Sequence, residues 1–229
     1  MNRTRTVADG KASETELKND EKDDTIDKTL FPDELAGVKR GEPMTFDDAD
    51  HEKPNPNFNQ GGGYEENCQT CVVAYEARLR GYDVQALPNT TGSKLEELSY
   101  QTNKAWIDSA TGKYPAYIVD DTVTNAKQCR QWLENTIEAD KRYTLEFDLK
   151  ERRRVGHIIS VDRLKDGTLR FYDPQNSVQY TGKDIDDYLK KLKYTTTFRR
   201  RKISGLTKVL RVDDKQFNSD IVNHILKRG

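Results

Sequence analysis

No stretch of this 229-residue chain is apolar for the length that a membrane-spanning helix or a secretory signal requires. The sequence therefore predicts neither a helical membrane span nor a cleaved N-terminal signal, and any export would use another route. Cysteine is scarce. Three residues, an odd number, argue against a disulfide scaffold and for a reducing environment or a reactive thiol. Histidine is equally scarce, also with three residues. A surplus of one charge sign is missing too. The 38 Lys and Arg nearly balance the 39 Asp and Glu, which leaves no electrostatic footprint for nucleic acid.

Only 34% of residues are hydrophobic, and they are unevenly spread. Residues 1–60 hold 15 Asp or Glu against 9 Lys or Arg and few large apolar side chains. Burial there offers little against an ordering cost of roughly 1–2 kcal/mol per residue. The segment reads as an acidic, mostly disordered tail or linker, with the folded domain spanning 61–229. Within it, Phe31-Pro32-Asp33-Glu34-Leu35 is a semi-apolar island that reads as a linker turn or, alternatively, a docking motif or a short helix. Pro54, Pro56 and the triplet Gly61-Gly62-Gly63 mark the boundary.

What remains has pattern. Positions 68, 71, 72, 75 and 79 follow helical spacing, with Asn67 as N-cap and Gly81 as stop. This helix should bury Val72, Tyr75 and Leu79 and turn Arg78 and Arg80 outward. A strand follows at 84–87, then helices at 95–106 and 125–137, the second capped by Thr124. Tyr143, Leu145, Phe147 and Leu149 alternate as in a half-buried strand. Residues 157–161 and 169–171 do likewise, joined through Lys165-Asp166-Gly167 as a hairpin. A helix at 184–192, a strand at 209–212 and a helix at 220–226 close the chain. Helices followed by mostly antiparallel strands make the class α+β, and no internal repeat is present.

Three residues in this frame carry chemistry. A thiol attacks only as thiolate, and a helix N-terminus favours that form through unpaired N–H groups and the positive end of its dipole. Cys68 falls at the first helical residue. Cys71 lies one turn further in, where burial is expected, so Cys68 is favoured as nucleophile. His157 opens a strand after Gly156. If Asp166-Gly167 is a two-residue turn, position 160 pairs with 173 and 157 lies near 176. A turn altered by one residue brings 157 nearer 174. In both cases His157 and the segment 173–175 share one end of the hairpin, where a carboxylate can fix the imidazole.

Asn67-Cys68-x-x-Cys71-x-x-Ala74, Gly156-His157-Ile158 and Tyr172-Asp173-Pro174-Gln175 together resemble the papain-fold toxin domain of polymorphic bacterial toxins. They are similar, too, to domains attached to phage minor head proteins. The resemblance covers about residues 60–215, and the wider group includes glutamine deamidases among bacterial effectors. It implies a papain-like cysteine hydrolase fold with the nucleophile on an N-terminal helix packed on the sheet. Cys68 would be nucleophile, His157 base and acid, and Asp173 the orienting carboxylate. Gln175 would contact substrate or support the site. The reaction implied is hydrolysis of an amide in a protein substrate, as a glutamine deamidase or a cysteine protease, with no cofactor and no metal. The setting implied is the cytoplasm of a producing or target cell, or a virion, with an immunity protein or a phage structural protein as possible partner.

Other readings compete. Cys68-Gln69-Thr70-Cys71 is a CxxC, but redox CxxC motifs usually follow a strand, and here a glycine-rich loop precedes. Zinc would need two further ligands, and Cys129 with His157 has no motif spacing. A non-enzymatic phage head module on a papain-like scaffold is the alternative class. The basic runs 152–154 and 199–202 could then meet phosphate or an acidic partner, although such runs are usually solvated faces.

Overall fold

The computed structural model describes residues 30–50, 53–98, 101–150, 156–198 and 200–229. Residues 1–29 lie outside the described residues. Of the rest of the segment expected to be a disordered linker, residues 30–50 and 53–60 are described, and Leu35, Val38, Ala49 and Asn55 in them are buried. Strands β1 (Glu34–Leu35) and β2 (Val38–Lys39) form a tight hairpin through Ala36 and Gly37, both at positive φ. Leu35 and Val38 enter the core. The semi-apolar island is thus neither linker nor external docking motif. Helix α1 (Phe46–Ala49) is capped by Thr45, whose Oγ1 accepts from the Asp48 amide at 3.2 Å. Composition averaged over sixty residues concealed this, because a few apolar side chains and backbone hydrogen bonds suffice where a folded domain supplies the opposing surface.

Helix α2 (Cys68–Leu79) begins and ends within one residue of the predicted span. Its orientation corrects the prediction. Residues from Thr70 to Arg78 are all buried, and Arg78 and Arg80 are 2% and 1% exposed. The helix is enclosed on all sides, so it has no wet face to which cations could turn. Arg78 donates to the carbonyls of Ala49 and Val84 and pairs with Asp83. Arg80 donates to Glu76, Val212, Lys215 and Leu30. Gly81 ends the helix at φ +100, and its carbonyl accepts from the Gly41 amide at 2.8 Å. A Cβ there would fall 2.3 Å from the Gly41 oxygen, so the docked N-terminal segment demands glycine.

Strand β3 (Val84–Ala86) follows. The single helix predicted over 95–106 is instead α3 (Leu95–Leu98), a 3-10 turn at Thr102–Ala105 and strand β4 (Trp106–Ile107). Thr102 and Asn103 are weak helix formers, and the Asn103 side chain bonds the Pro115 carbonyl at 2.9 Å. After β5 (Ile118–Val119) comes α4 (Ala126–Thr136). Its N-cap is Asn125 rather than Thr124: Asn125 Oδ1 accepts from the Gln128 amide at 3.0 Å, while Thr124 bonds the Gln128 side chain.

The central sheet then forms from β6 (Arg142–Leu149), β7 (Gly156–Arg163), β8 (Leu169–Asp173) and β9 (Val178–Thr181). Helix α5 (Lys183–Leu189) ends before Leu192, which enters β10 (Leu192–Lys193) beside β6. The chain continues through the hairpin β11 (Thr196–Phe198) and β12 (Arg201–Ile203), then β13 (Lys208–Arg211), β14 (Gln216–Phe217), α6 (Ser219–Ile225) and β15 (Leu226–Arg228). The main sheet runs β5-β13-β6-β7-β8-β9, with β10 also on β6, and every pairing is antiparallel. One face, bearing Leu145, Phe147, Ile159, Val161 and Phe171, packs on α4 and α5. The other, bearing Ile158 and Leu210, packs on α2 and α6. The class is α+β.

The β7–β8 turn settles the register near the candidate site. Leu164 and Thr168 close a three-residue loop, 165–167, with Gly167 at φ +85. This is one residue longer than a two-residue turn. Ser160 consequently pairs with Tyr172, not with Asp173. His157 and Asp173 lie at the same end of this hairpin, with Gln175 in the turn that follows β8.

Candidate active site

Cys68 is the first residue of α2 and is partly exposed, while Asn67 holds the N-cap position. The Asn67 side chain does not cap the helix. His157 is the second residue of β7, and Asp173 the last of β8. Their side chains leave the same face of the sheet, because 157 and 159 alternate together and 173 lies opposite 159. Imidazole Nε2 sits 2.7 Å from Asp173 Oδ2. The Phe147 ring meets the imidazole edge to face, with centroids 5.7 Å apart.

Asp173 engages Nε2, which leaves Nδ1 without that partner, and Cys68 is among the neighbours whose influence reaches the imidazole. Burial opposes a charge on His157, yet the hydrogen bonds to Asp173 and Cys68, and their charges, outweigh it. The histidine is raised from the usual 6.5 to about 10. It is therefore an imidazolium at neutral pH.

The other two cysteines are placed differently. Cys71 is fully buried and its Sγ donates to Asn67 Oδ1 at 3.2 Å. Burial, and then the charges of Cys68 and Asp173, push this thiol well above its ordinary range, so it stays protonated. Cys129 lies in the apolar cluster on the opposite face of the sheet, and burial pushes it up to about 12.

Gln175, read from the resemblance as a substrate contact or a support, is turned inward and 8% exposed. Its Nε2 donates to Asn67 Oδ1 at 3.3 Å, and its carbonyl accepts from Asn55 Nδ2 at 2.9 Å. Of the two roles, this geometry fits support. Its backbone N–H bonds Asp173 Oδ1 at 3.1 Å, which braces the carboxylate from behind. Asn55 was missed by the sequence reading, which places it in the linker. Its one signal is the run Pro54-Asn55-Pro56, where two prolines stiffen the backbone on both sides. Tyr188 was missed as well. It packs on Tyr180 with tilted rings, centroids 4.6 Å apart, and meets Phe147 edge to face. Burial raises its phenol, and the charges of Asp173, Tyr180 and Cys68 add to that rise, which marks it as a neighbour of the site.

The loop before α2 is held by glycine. At Gly63, φ is +89 and a Cβ would fall 2.0 Å from the Asn89 oxygen. Of the basic runs, 152–154 and position 199 lie outside the described residues. Arg200, Arg201 and Lys202 are exposed at the β11–β12 hairpin. Among the described residues, no group of three or more His, Cys, Asp or Glu is placed to hold a metal. No described helix is long and apolar enough to cross a membrane.

None of the curated proteins matches the chain. Residues 66–177 match the family model described as papain fold toxin 1, glutamine deamidase, a span that starts two residues before Cys68 and ends two after Gln175. That match, just under half of the chain, together with a helix on an antiparallel sheet, supports a papain-fold toxin domain over this stretch.

Proposed function

We propose that the chain hydrolyses the side-chain amide of glutamine in a protein substrate, with Cys68 as nucleophile, His157 as acid and base, and Asp173 as the group that orients the imidazole. One observation carries the reading: His157 Nε2 lies 2.7 Å from Asp173 Oδ2, and Cys68 at the start of α2 is close enough to help raise the imidazole, which is charged at neutral pH. The family description supplies the amide and the glutamine.

The Cys68 thiolate attacks the carboxamide carbon, and the oxyanion that forms is met by the N–H at the start of α2. The C–N bond breaks as imidazolium His157 gives its proton to the departing nitrogen, which releases ammonia and leaves a thioester. Neutral His157 then takes a proton from water, whose oxygen attacks the thioester. Glutamate is released and the thiolate–imidazolium pair returns. The net change is amide plus water to carboxylate and ammonia. Asp173 orients the ring through its bond to Nε2 and stabilises its charged form.

Mass spectrometry of glutamine-containing proteins incubated with the chain tests this. A gain of about 1 Da at glutamine, matched by ammonia release, is expected. Cys68→Ala and His157→Ala should abolish it with the fold intact. Asp173→Asn should slow it by about 10²-fold or more without eliminating it. Full activity in Cys68→Ala refutes the mechanism, and new chain termini without ammonia would make the chain a protease. The raised histidine also has a stability signature. Its contribution is fully present below pH 6.5 and fades as pH rises through about 10, so wild type should lose its margin over His157→Ala across that window.

A further inference from the structure

An asparagine at an N-cap position ordinarily turns its side-chain oxygen to the N–H groups of the first turn. Asn67 does not, with φ −110 and ψ 26. Its Oδ1 instead accepts from Asn55 Nδ2 at 3.3 Å, Cys71 Sγ at 3.2 Å and Gln175 Nε2 at 3.3 Å. Its Nδ2 donates to Asn55 Oδ1 at 3.2 Å and to the Leu87 carbonyl at 3.1 Å. The residue is fully buried, and every group in this cluster is neutral, since Cys71 keeps its proton.

These bonds come from separate parts of the chain. Asn55 belongs to the N-terminal segment, Leu87 follows β3, Cys71 lies one turn into α2, and Gln175 follows the hairpin that carries His157 and Asp173. The chain around Asn67 is thus tied on one side to the nucleophile, one residue on, and on the other to the carboxylate, two residues before Gln175. We propose that Asn67 is a positioning residue: its side chain gives up helix capping to fix the start of α2 against the end of the β7–β8 hairpin, and so sets Cys68 against His157. Helix stability alone would favour serine, which caps equally well and needs no partners elsewhere. Leaving the first-turn N–H groups uncapped by a side chain also keeps them available to the oxyanion.

The inference rests on the deamidase reading for its kinetic arm only. In the full chain, Asn67→Ser should lower kcat by about 10²-fold, the effect of an ångström-scale misplacement, and leave KM within about two-fold. Gln175→Met cuts the tie from the hairpin side without touching α2, and should lower kcat about ten-fold. The second arm needs no substrate. Iodoacetamide labelling of Cys68, located by peptide mapping, should be fast at pH 6 in wild type because the imidazolium is in place. Both variants should label at least about ten-fold more slowly at pH 6 and converge with wild type at high pH. If wild type proves not to deamidate but the labelling contrast appears, the positioning role stands and the substrate reading falls. If Gln175→Met and any folded Asn67 variant lose thermal stability yet keep wild-type kcat and labelling at pH 6, Asn67 is merely structural and the proposal is overturned.

Discussion

The two ends of helix α2 bury polarity in opposite ways. At its start, Asn67 and Cys71 join Asn55 and Gln175 in a cluster with no formal charge. At its end, Glu76 accepts two bonds from Arg142 at 2.7 Å and one from Arg80 at 2.8 Å. Burial alone would raise the Glu76 carboxyl, but Arg142 and Arg80 hold it down at about 2. Charged networks bind strongly in a low dielectric and act over distance. Neutral amides act at contact range. A formal charge in the first-turn cluster would compete with Asp173 and Cys68 for the imidazolium, whereas two turns away it fixes the helix without touching the chemistry.

The N-terminal segment serves both ends, so removing it should have the largest effect. Asn55 supports the start, while Gly41 and the Leu30 carbonyl meet the end. Deleting residues 1–60 should abolish the cooperative thermal transition followed by circular dichroism. Deleting 1–29, which contain few large apolar side chains, should leave it nearly unchanged. An intact transition after the longer deletion would show that α2 needs no enclosure.

That contrast also explains what could be read from the residues. The meeting of His157 with Asp173 was legible because strand alternation places histidine and aspartate at one hairpin end. The sequence left two registers open because Lys165-Asp166-Gly167 suits a two- or a three-residue loop equally, and the structure takes the longer loop. Arg78 and Arg80 were misread because helical periodicity assumes one wet face, and nothing in the local pattern announces a distant segment covering it. Asn55 and Asn67 stayed invisible as a network. Amide side chains serve caps, turns and surfaces alike, and only the fold brings positions 55, 67 and 175 together.

The charged end can be broken next. Glu76→Gln leaves Arg80 buried with its ion-pair partner gone and weakens the two-bond pairing with Arg142. It should cost about 3–5 kcal/mol in denaturant unfolding at pH 7. The pH sign follows from the lowered carboxyl. Ionised Glu76 contributes stability that is present above about pH 4.5 and lost as pH falls through about 2. The gap between wild type and Glu76→Gln should therefore narrow on acidification. A gap that stays constant from pH 7 to pH 3 would mean that the ion pairs contribute little beyond packing.

The neutral end should yield far less. Cys71→Ala removes one of three donors to Asn67 Oδ1, and Asn55 and Gln175 continue to satisfy that oxygen. The lost hydrogen bond and the small void should together cost about 1–2 kcal/mol. Cys71→Ser retains a donor of similar size and should cost less than the alanine variant. Both should keep the proposed activity within a few-fold, because Cys68 stays at the start of α2 and the tie to the hairpin survives. Unfolding curves for the two variants, read beside Glu76→Gln, measure the difference between the ends directly. Should Cys71→Ala cost as much as Glu76→Gln, the neutral cluster is as strongly coupled as the ionic one. Should it abolish activity while Cys68→Ala does not, the nucleophile lies one turn further into the helix.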